Sequence, residues 1–243
     1  MPHAEPAQNP AVLSVLIANL FEPGVVAAEL RADPDAALLY PLEAAACARF
    51  APKRLAEYAA GRLCARRALA ELGITGFPIV ANADRSPRWP STVVGSITHT
   101  DRFCAAVVGA AHVYGGIGLD AETIGRITPQ IRPLIFTPRE TELLDALDDA
   151  PRAQASTIVF SAKEAFYKCQ YAVTQAWRDF HDVWVELLPP NGDHGDFIIH
   201  PSPTTGVTDW GLELPLRGRF IVDGQLVITG ISVPAFAPEL GLG

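Results

Sequence analysis

The spacing of apolar residues changes period along the chain, and the changes outline its elements. In "APKRLAEYAAGRLCARRALAELG" (51–73), Leu55, Tyr58, Leu69 and Leu72 recur at helical spacing. Pro52 suits a first helical turn and Gly73 the position just past the last, so the pattern predicts a helix over 51–72. Turn-rich "NADRSPRWP" follows, then strand-like runs at 92–98, 103–109 and 112–120. A second helix starts at "TPRETELLDAL", where Thr137 and Glu140 have capping-box spacing and Pro138 fits the first turn. A third spans about 156–175, with Ile158, Val159, Ala162, Phe166, Cys169 and Val173 as its inner face. The last third reads as strands at 182–188, 195–200, 211–222 and 225–233, with Asp223-Gly224 as a hairpin signal. The apolar run "AVLSVLIANL" (11–20) is too short to span a bilayer and is expected to be a strand. The order of elements predicts an α+β fold of two halves, dividing near residues 112–118.

The chain has 243 residues, 49% of them hydrophobic and 19% charged, enough for a sizeable core. A formal net charge of −8 argues against general nucleic-acid binding, which depends on cations that neutralise phosphates. The charge is uneven, however: Lys53, Arg54, Arg62, Arg66 and Arg67 crowd the first helix. Such a cluster is either a solvated face or a site for a specific anion. Cys47, Cys64, Cys104 and Cys169 show no metal-binding spacing and read as free thiols in a reducing compartment. The first ten residues carry no Lys or Arg, so a cytoplasmic protein without a membrane anchor is expected.

Two stretches carry candidate chemistry. In "GIGLDAE" (116–122), Asp120 and Glu122 fall on one side of a strand and Ala121 on the other. Two like charges on one face need either open water or a cation between them. In "FSAKEAFYK" (160–168), Glu164 and Lys168 are four apart on a helix, which by itself describes a surface ion pair worth about 0.3–0.5 kcal/mol. Together, Asp120, Glu122, Glu164, Lys163 and Lys168 have the composition of a Mg²⁺-assisted phosphoryl-transfer site. Other chemistries lack support: Ser96 is not in a GxSxG elbow, no phosphate-binding P-loop is present, and "GGIG" is too short for a dinucleotide fingerprint. His3, His112, His181, His194 and His200 belong to no motif, and Trp89 reads as a packing anchor.

These stretches resemble the Sfp-type 4′-phosphopantetheinyl transferases, and most closely the subclass of enterobactin synthetase component D. "IGLDAE" is similar to that family's (I/V)GxDxE motif and "FSAKEAFYK" to its (F/W)xxKExxxK motif. "RSPRWP" with "GSITH" (95–99) is similar to its PxWP…GS(I/L)(S/T)H segment, and "GRLCARRALAELG" (61–73) to its GRxxAxxAL…LG helix. The motifs occur in the family's order between residues 54 and 168.

The resemblance implies two similar halves, 1–115 and 116–243, related by a pseudo-twofold with the active site at their interface. It implies transfer of the 4′-phosphopantetheine arm from coenzyme A to a serine of an apo carrier protein, leaving adenosine 3′,5′-bisphosphate. Asp120, Glu122 and Glu164 would hold Mg²⁺, with a water beside Ala121. Glu164 would act as base and Lys168 would assist the leaving phosphate. Arg54, Arg62, Arg85, Thr98, His99 and Lys163 would contact coenzyme A phosphates, with Arg88 able to exchange with Arg85. Apo acyl or peptidyl carrier proteins are the expected partners, with siderophore or other secondary metabolism as the setting and a monomer as the working unit. Residues 125–150, with Arg126, Arg132 and Arg139 among Ile127, Ile131, Leu134, Ile135 and Phe136, form a candidate carrier-docking surface. The alternative is a non-catalytic coenzyme A- or carrier-binding module.

Overall fold

The computed structural model describes residues 10–32, 35–203, 206–207 and 209–235. The residues before Pro10, with His3, and those after Ala235 lie outside the described residues.

The first half is one long helix on a four-stranded antiparallel sheet. Its strands are β1 (Val12–Leu13), β2 (Val26–Leu30), β3 (Val93–Thr100) and β4 (Phe103–Ala110), in the order β1-β2-β4-β3. Its helices are α1 (Val15–Ala18), α2 (Pro41–Cys47) and α3 (Pro52–Glu71). The predicted helix 51–72 is thus α3, with Pro52 in its first turn. Its buried side is built from small residues and leucines, including Ala60, Leu63, Cys64, Ala68 and Leu69, packed with Leu30, Ala106 and Val108 of the sheet. Burying each such leucine contributes about 1.5–3 kcal/mol. The strand expected over 11–20 does not form. Only Val12 and Leu13 pair with β2, because the Ser14 hydroxyl accepts the Ile17 N–H at 3.3 Å and starts α1. An apolar run this short has no period that separates strand from helix.

The second half repeats the helix-on-sheet plan. It contains β5 (Tyr114–Thr123), α4 (Arg132–Ile135), α5 (Pro138–Asp145), α6 (Asp149–Thr174), β6 (Val183–Leu187), β7 (His194–Pro201), β8 (Leu216–Asp223) and β9 (Leu226–Pro234). The sheet is antiparallel in the order β5-β9-β8-β7-β6, and α6 packs across β5 and β9. The capping box at α5 forms: Glu140 N–H donates to Thr137 Oγ1 at 3.3 Å, and Thr137 N–H donates to Glu140 Oε2 at 2.8 Å. The β8–β9 hairpin turns at Asp223-Gly224 as expected. Strand β8 starts at Leu216 rather than 211, directly after Pro215, which has no N–H for a ladder.

A third apolar layer welds the halves. Ile17, Leu20, Phe21 and Val107 of the first half pack with Ile117, Leu119, Ala121 and Ile228 of the second. The architecture is α+β, as the order of predicted elements required.

Candidate active site

The chemistry gathers where β3 and β5, an edge strand of each sheet, lie side by side. Alternation along β5 sends Ile117, Leu119 and Ala121 into the layer between the halves and Gly116, Gly118, Asp120 and Glu122 toward α6. The glycines permit close approach. A Cβ on Gly118 would lie 1.8 Å from the Ala165 carbonyl oxygen, and one on Gly116 would lie 2.5 Å from that of Cys169. The helix backbone therefore rests on the strand, and its side chains reach the acids that follow the glycines.

Asp120 is buried and accepts three hydrogen bonds. Lys168 Nζ donates to its Oδ1 at 2.7 Å, Thr98 Oγ1 to the same oxygen at 3.2 Å, and Ser161 Oγ to Oδ2 at 2.9 Å. Lys168 also donates to the Leu119 carbonyl at 3.1 Å, which leaves one of its three protons free. Glu122 is pushed up to about 7, by burial first and then by the Asp120 and Glu164 carboxylates, against the pull of Lys168 and Arg126. Burial also raises Glu164, with Asp120 adding to the shift and Lys168 opposing it. Glu122 and Glu164 both feel the charges of Asp120 and Lys168, and of the three acids Asp120 is the one in contact with the lysine.

The first half supplies the opposite wall. His99 Nε2 lies 3.2 Å from Glu57 Oε2 and 3.4 Å from Arg54 Nη1, and Arg54 lies 3.4 Å from the same Glu57 oxygen. Burial depresses the His99 pKa, and Arg54 and Lys168 depress it further, against Glu57. Strand β3 is fastened to β5 by hydroxyls rather than by a backbone ladder. Ser96 Oγ accepts the Leu119 N–H at 3.1 Å and donates to the Leu119 carbonyl at 3.4 Å. Thr98 Oγ1 accepts the Ala121 N–H at 3.0 Å.

Several expectations change in this setting. Thr98 is buried with its hydroxyl spent on Asp120 and Ala121, so it orients the carboxylate instead of facing a phosphate. Lys163 is fully enclosed, with three donor contacts to Glu140, Ile135 and Phe180 on the far side of α6, and none remains for coenzyme A. Arg62 is buried deeper along α3, its Nε donating to the Ile79 carbonyl at 3.0 Å and its guanidinium 3.7 Å from the Tyr58 ring centroid. Arg85 sits exposed in a loop with a left-handed backbone, φ 73°, and its side chain makes no hydrogen bond or ion pair with a described residue. Its neighbour Asp84 ties that loop to α6 by accepting from Tyr171 Oη at 2.8 Å. Ala121 faces the apolar layer between the halves, away from the acids, and offers the site no ligating group. The cations proposed for docking are occupied: Arg126 pairs with Asp101, Arg132 with Asp145, and Arg139 stacks on Trp184. Sequence reasoning did not find Ser161 and Thr229, which hydrogen-bond each other at 2.8 Å beneath Asp120; no spacing rule marks residues 68 positions apart.

Comparison with known proteins shows the family. The family model of the 4′-phosphopantetheinyl transferase N-terminal domain matches residues 42–109, and that of the 4′-phosphopantetheinyl transferase superfamily matches 116–211. The chain belongs to the 4′-phosphopantetheinyl transferases. It is 36% identical over 205 residues to 4′-phosphopantetheinyl transferase Svp of Streptomyces mobaraensis, covering 84% of this chain and 82% of that one. It is 34% identical over 226 residues to 4′-phosphopantetheinyl transferase PptT of Mycobacterium tuberculosis, covering 90% and 96%. Enterobactin synthase component D of Salmonella typhi is 36% identical over 118 residues, covering 48% of each chain.

The side chains of the site are of the oxygen-donor type that magnesium takes. Among the described residues no three acidic, histidine or cysteine side chains form a ready metal cage. Magnesium does not require one, since it takes one or two carboxylates and completes its shell with water and substrate phosphates. The donors here are all carboxylate oxygens; burial is the main cause that raises Glu122 and Glu164, and the Asp120 carboxylate adds to both.

Proposed function

We propose that this chain transfers the 4′-phosphopantetheine arm of coenzyme A to a serine of an apo carrier protein in a Mg²⁺-dependent reaction. The observation that carries this reading is the cluster of Asp120, Glu122, Glu164 and Lys168 facing His99 and Arg54 across the seam. Residues 1–115 supply the wall that binds coenzyme A phosphates, and residues 116–243 carry the metal and catalytic groups. Asp120, Glu122 and Glu164 would hold the magnesium, which when bound neutralises charge on the pyrophosphate oxygens.

Glu164 takes the proton of the carrier serine, a role suited to a carboxylate whose surroundings raise its proton affinity. The serine Oγ–P bond forms as the bond from phosphorus to the adenosine bisphosphate oxygen breaks. The leaving phosphate keeps that electron pair and receives the free donor of Lys168. Arg54 and His99, aligned by Glu57, bind the adenosine phosphates, and the exposed Arg85 can turn toward the same anion.

One chain supplies both walls, so a monomer suffices. The four cysteines are buried free thiols, which suits the reducing cytoplasm. No helix among the described residues is long and apolar enough to cross a membrane. The partial likeness to enterobactin synthase component D points to a siderophore or related secondary pathway.

Incubation with coenzyme A, Mg²⁺ and apo carrier protein adds the mass of the arm to the carrier, and Glu164→Gln abolishes that addition while keeping the fold. Stabilisation by coenzyme A with no mass shift on any of several carriers would establish a binding module instead.

A further inference from the structure

Lys163 and Glu140 form an ion pair closed to solvent, their side chains 0% and 1% exposed. The lysine uses all three protons: on Glu140 Oε2 at 2.7 Å, the Phe180 carbonyl at 2.7 Å and the Ile135 carbonyl at 2.9 Å. Glu140 is equally committed. Its Oε1 accepts the Val185 N–H at 2.7 Å, and its Oε2 also accepts the Thr137 N–H at 2.8 Å and Thr137 Oγ1 at 2.9 Å. Five segments meet at this point: the end of α4, the first turn of α5, the loop before β6, β6 itself and the middle of α6.

Stability alone does not account for such a pair. An apolar pair of similar volume, free of the cost of desolvating two charges, stabilises as well or better. What an apolar pair lacks is direction. A packed methylene tolerates small rotations and slides of a helix, whereas three hydrogen bonds to three segments define one orientation. Lys163 immediately precedes Glu164, and consecutive residues lie about 100° apart around a helix. Pinning Lys163 toward α4, α5 and β6 therefore fixes the direction in which Glu164 leaves α6, toward Asp120 and Lys168.

We propose that the Lys163–Glu140 pair is a positioning joint that fixes the direction of the Glu164 carboxylate toward Asp120 and Lys168, so that Glu164 is held ready for the acceptor serine. This rests on the transferase reading of Glu164. Lys163 is then a positioning residue and touches no substrate.

The test compares the wild type with Lys163→Met, with the double variant Lys163→Met/Glu140→Gln, and with Thr137→Val. Each is measured for melting temperature, for the coenzyme A Kd by calorimetry, and for kcat/KM toward apo carrier protein. Lys163→Met alone strands the Glu140 charge and lowers the melting temperature. The double variant recovers most of that loss and binds coenzyme A within twofold of wild type, yet its kcat/KM for the carrier stays at least tenfold low. Thr137→Val strands no charge, so it keeps the fold and gives a smaller loss of about threefold with the coenzyme A Kd unchanged. Full recovery of kcat/KM in the double variant overturns the proposal, as does wild-type kcat/KM in Thr137→Val at a lowered melting temperature; either leaves the pair purely structural. A tenfold loss of coenzyme A affinity in a folded Lys163 variant overturns it in favour of a direct phosphate contact. A wild-type protein that binds coenzyme A but moves no arm refutes the transferase reading instead.

Discussion

Gly118→Ala tests whether contact between α6 and β5 assembles the site. The added methyl would lie 1.8 Å from the Ala165 carbonyl oxygen and 3.0 Å from Cys169 Cβ. Both are difficult to move: the oxygen belongs to the backbone of a 26-residue helix, and Cys169 is fully buried. Ordinary contact begins near 3.4 Å, so helix and strand must separate locally by about 1.6 Å. The Asp120 contacts with Lys168 and Ser161 span this junction at 2.7 and 2.9 Å, and a shift of that size breaks both. Overpacking of this kind costs about 1–3 kcal/mol, which for a chain of this size lowers the melting temperature by about 3–10 °C. Misplacing catalytic groups by about 1 Å costs on the order of 100-fold in rate. The assay is arm transfer to apo carrier protein followed by mass spectrometry, with melting temperature measured in parallel. Gly118→Ala is expected to remain folded at 25 °C and lose about 100-fold in kcat/KM. Wild-type turnover in this variant would refute the idea that close helix–strand contact builds the site.

Three other outcomes follow from the same geometry. Thr98→Val removes the acceptor of the buried Ala121 N–H and a donor to Asp120, so a loss of about 1–3 kcal/mol in urea unfolding is expected, with reduced turnover. A variant as stable as wild type would show that hydroxyls do not fasten the seam. Glu122 holds its proton up to about pH 7 in the folded protein, whereas the unfolded chain releases it near 4.5. Its contribution is therefore fully present below pH 4.5 and lost as the pH rises through 7, by about 1–2 kcal/mol after allowance for solvent screening. Metal-free melting curves between pH 4.5 and 8 check this, and no decline attributable to Glu122 on comparison with Glu122→Gln would count against it. Mg²⁺ should release protons on binding at pH 6.5, seen as a dependence of calorimetric enthalpy on buffer, and should stabilise more at pH 8 than at pH 5.5; equal stabilisation at both would remove the metal role of Glu122.

The elements that the sequence displayed best are those whose signals are local. The helix α3 shows in its apolar spacing, its Pro52 and its Gly73; α5 shows in the Thr137–Glu140 box; and the β8–β9 turn shows in Asp223-Gly224. Each depends on neighbours within a few positions, where propensity and capping act directly. The short run at 11–20 and the start of β8 depart from the hydrophobic pattern because a hydroxyl cap and a missing N–H outweigh hydrophobicity.

The sequence by itself determined the parts of the candidate site: two acids with strand spacing in "GIGLDAE", an acid and a lysine one helical turn apart in "FSAKEAFYK", and cations on the first helix. Strand and helix periods are properties of the backbone, so a local pattern is enough to say which side chains share a face. Only the tertiary structure decided which of them meet. Lys163 and Lys168 both resemble phosphate contacts in sequence, Lys168 as the leaving-group contact and Lys163 as an additional one, yet five residues along a helix turn a side chain by about 500°, to a different face. One face met Glu140 and was buried, and the other met Asp120 beside the seam. Thr98 likewise went to Asp120 because β5 lay next to it, a neighbour 22 positions away that no local rule could supply. Hydrogen bonding and burial act across space without regard to sequence distance, and in this protein they divided the candidate residues into those left facing the site and those used to hold it.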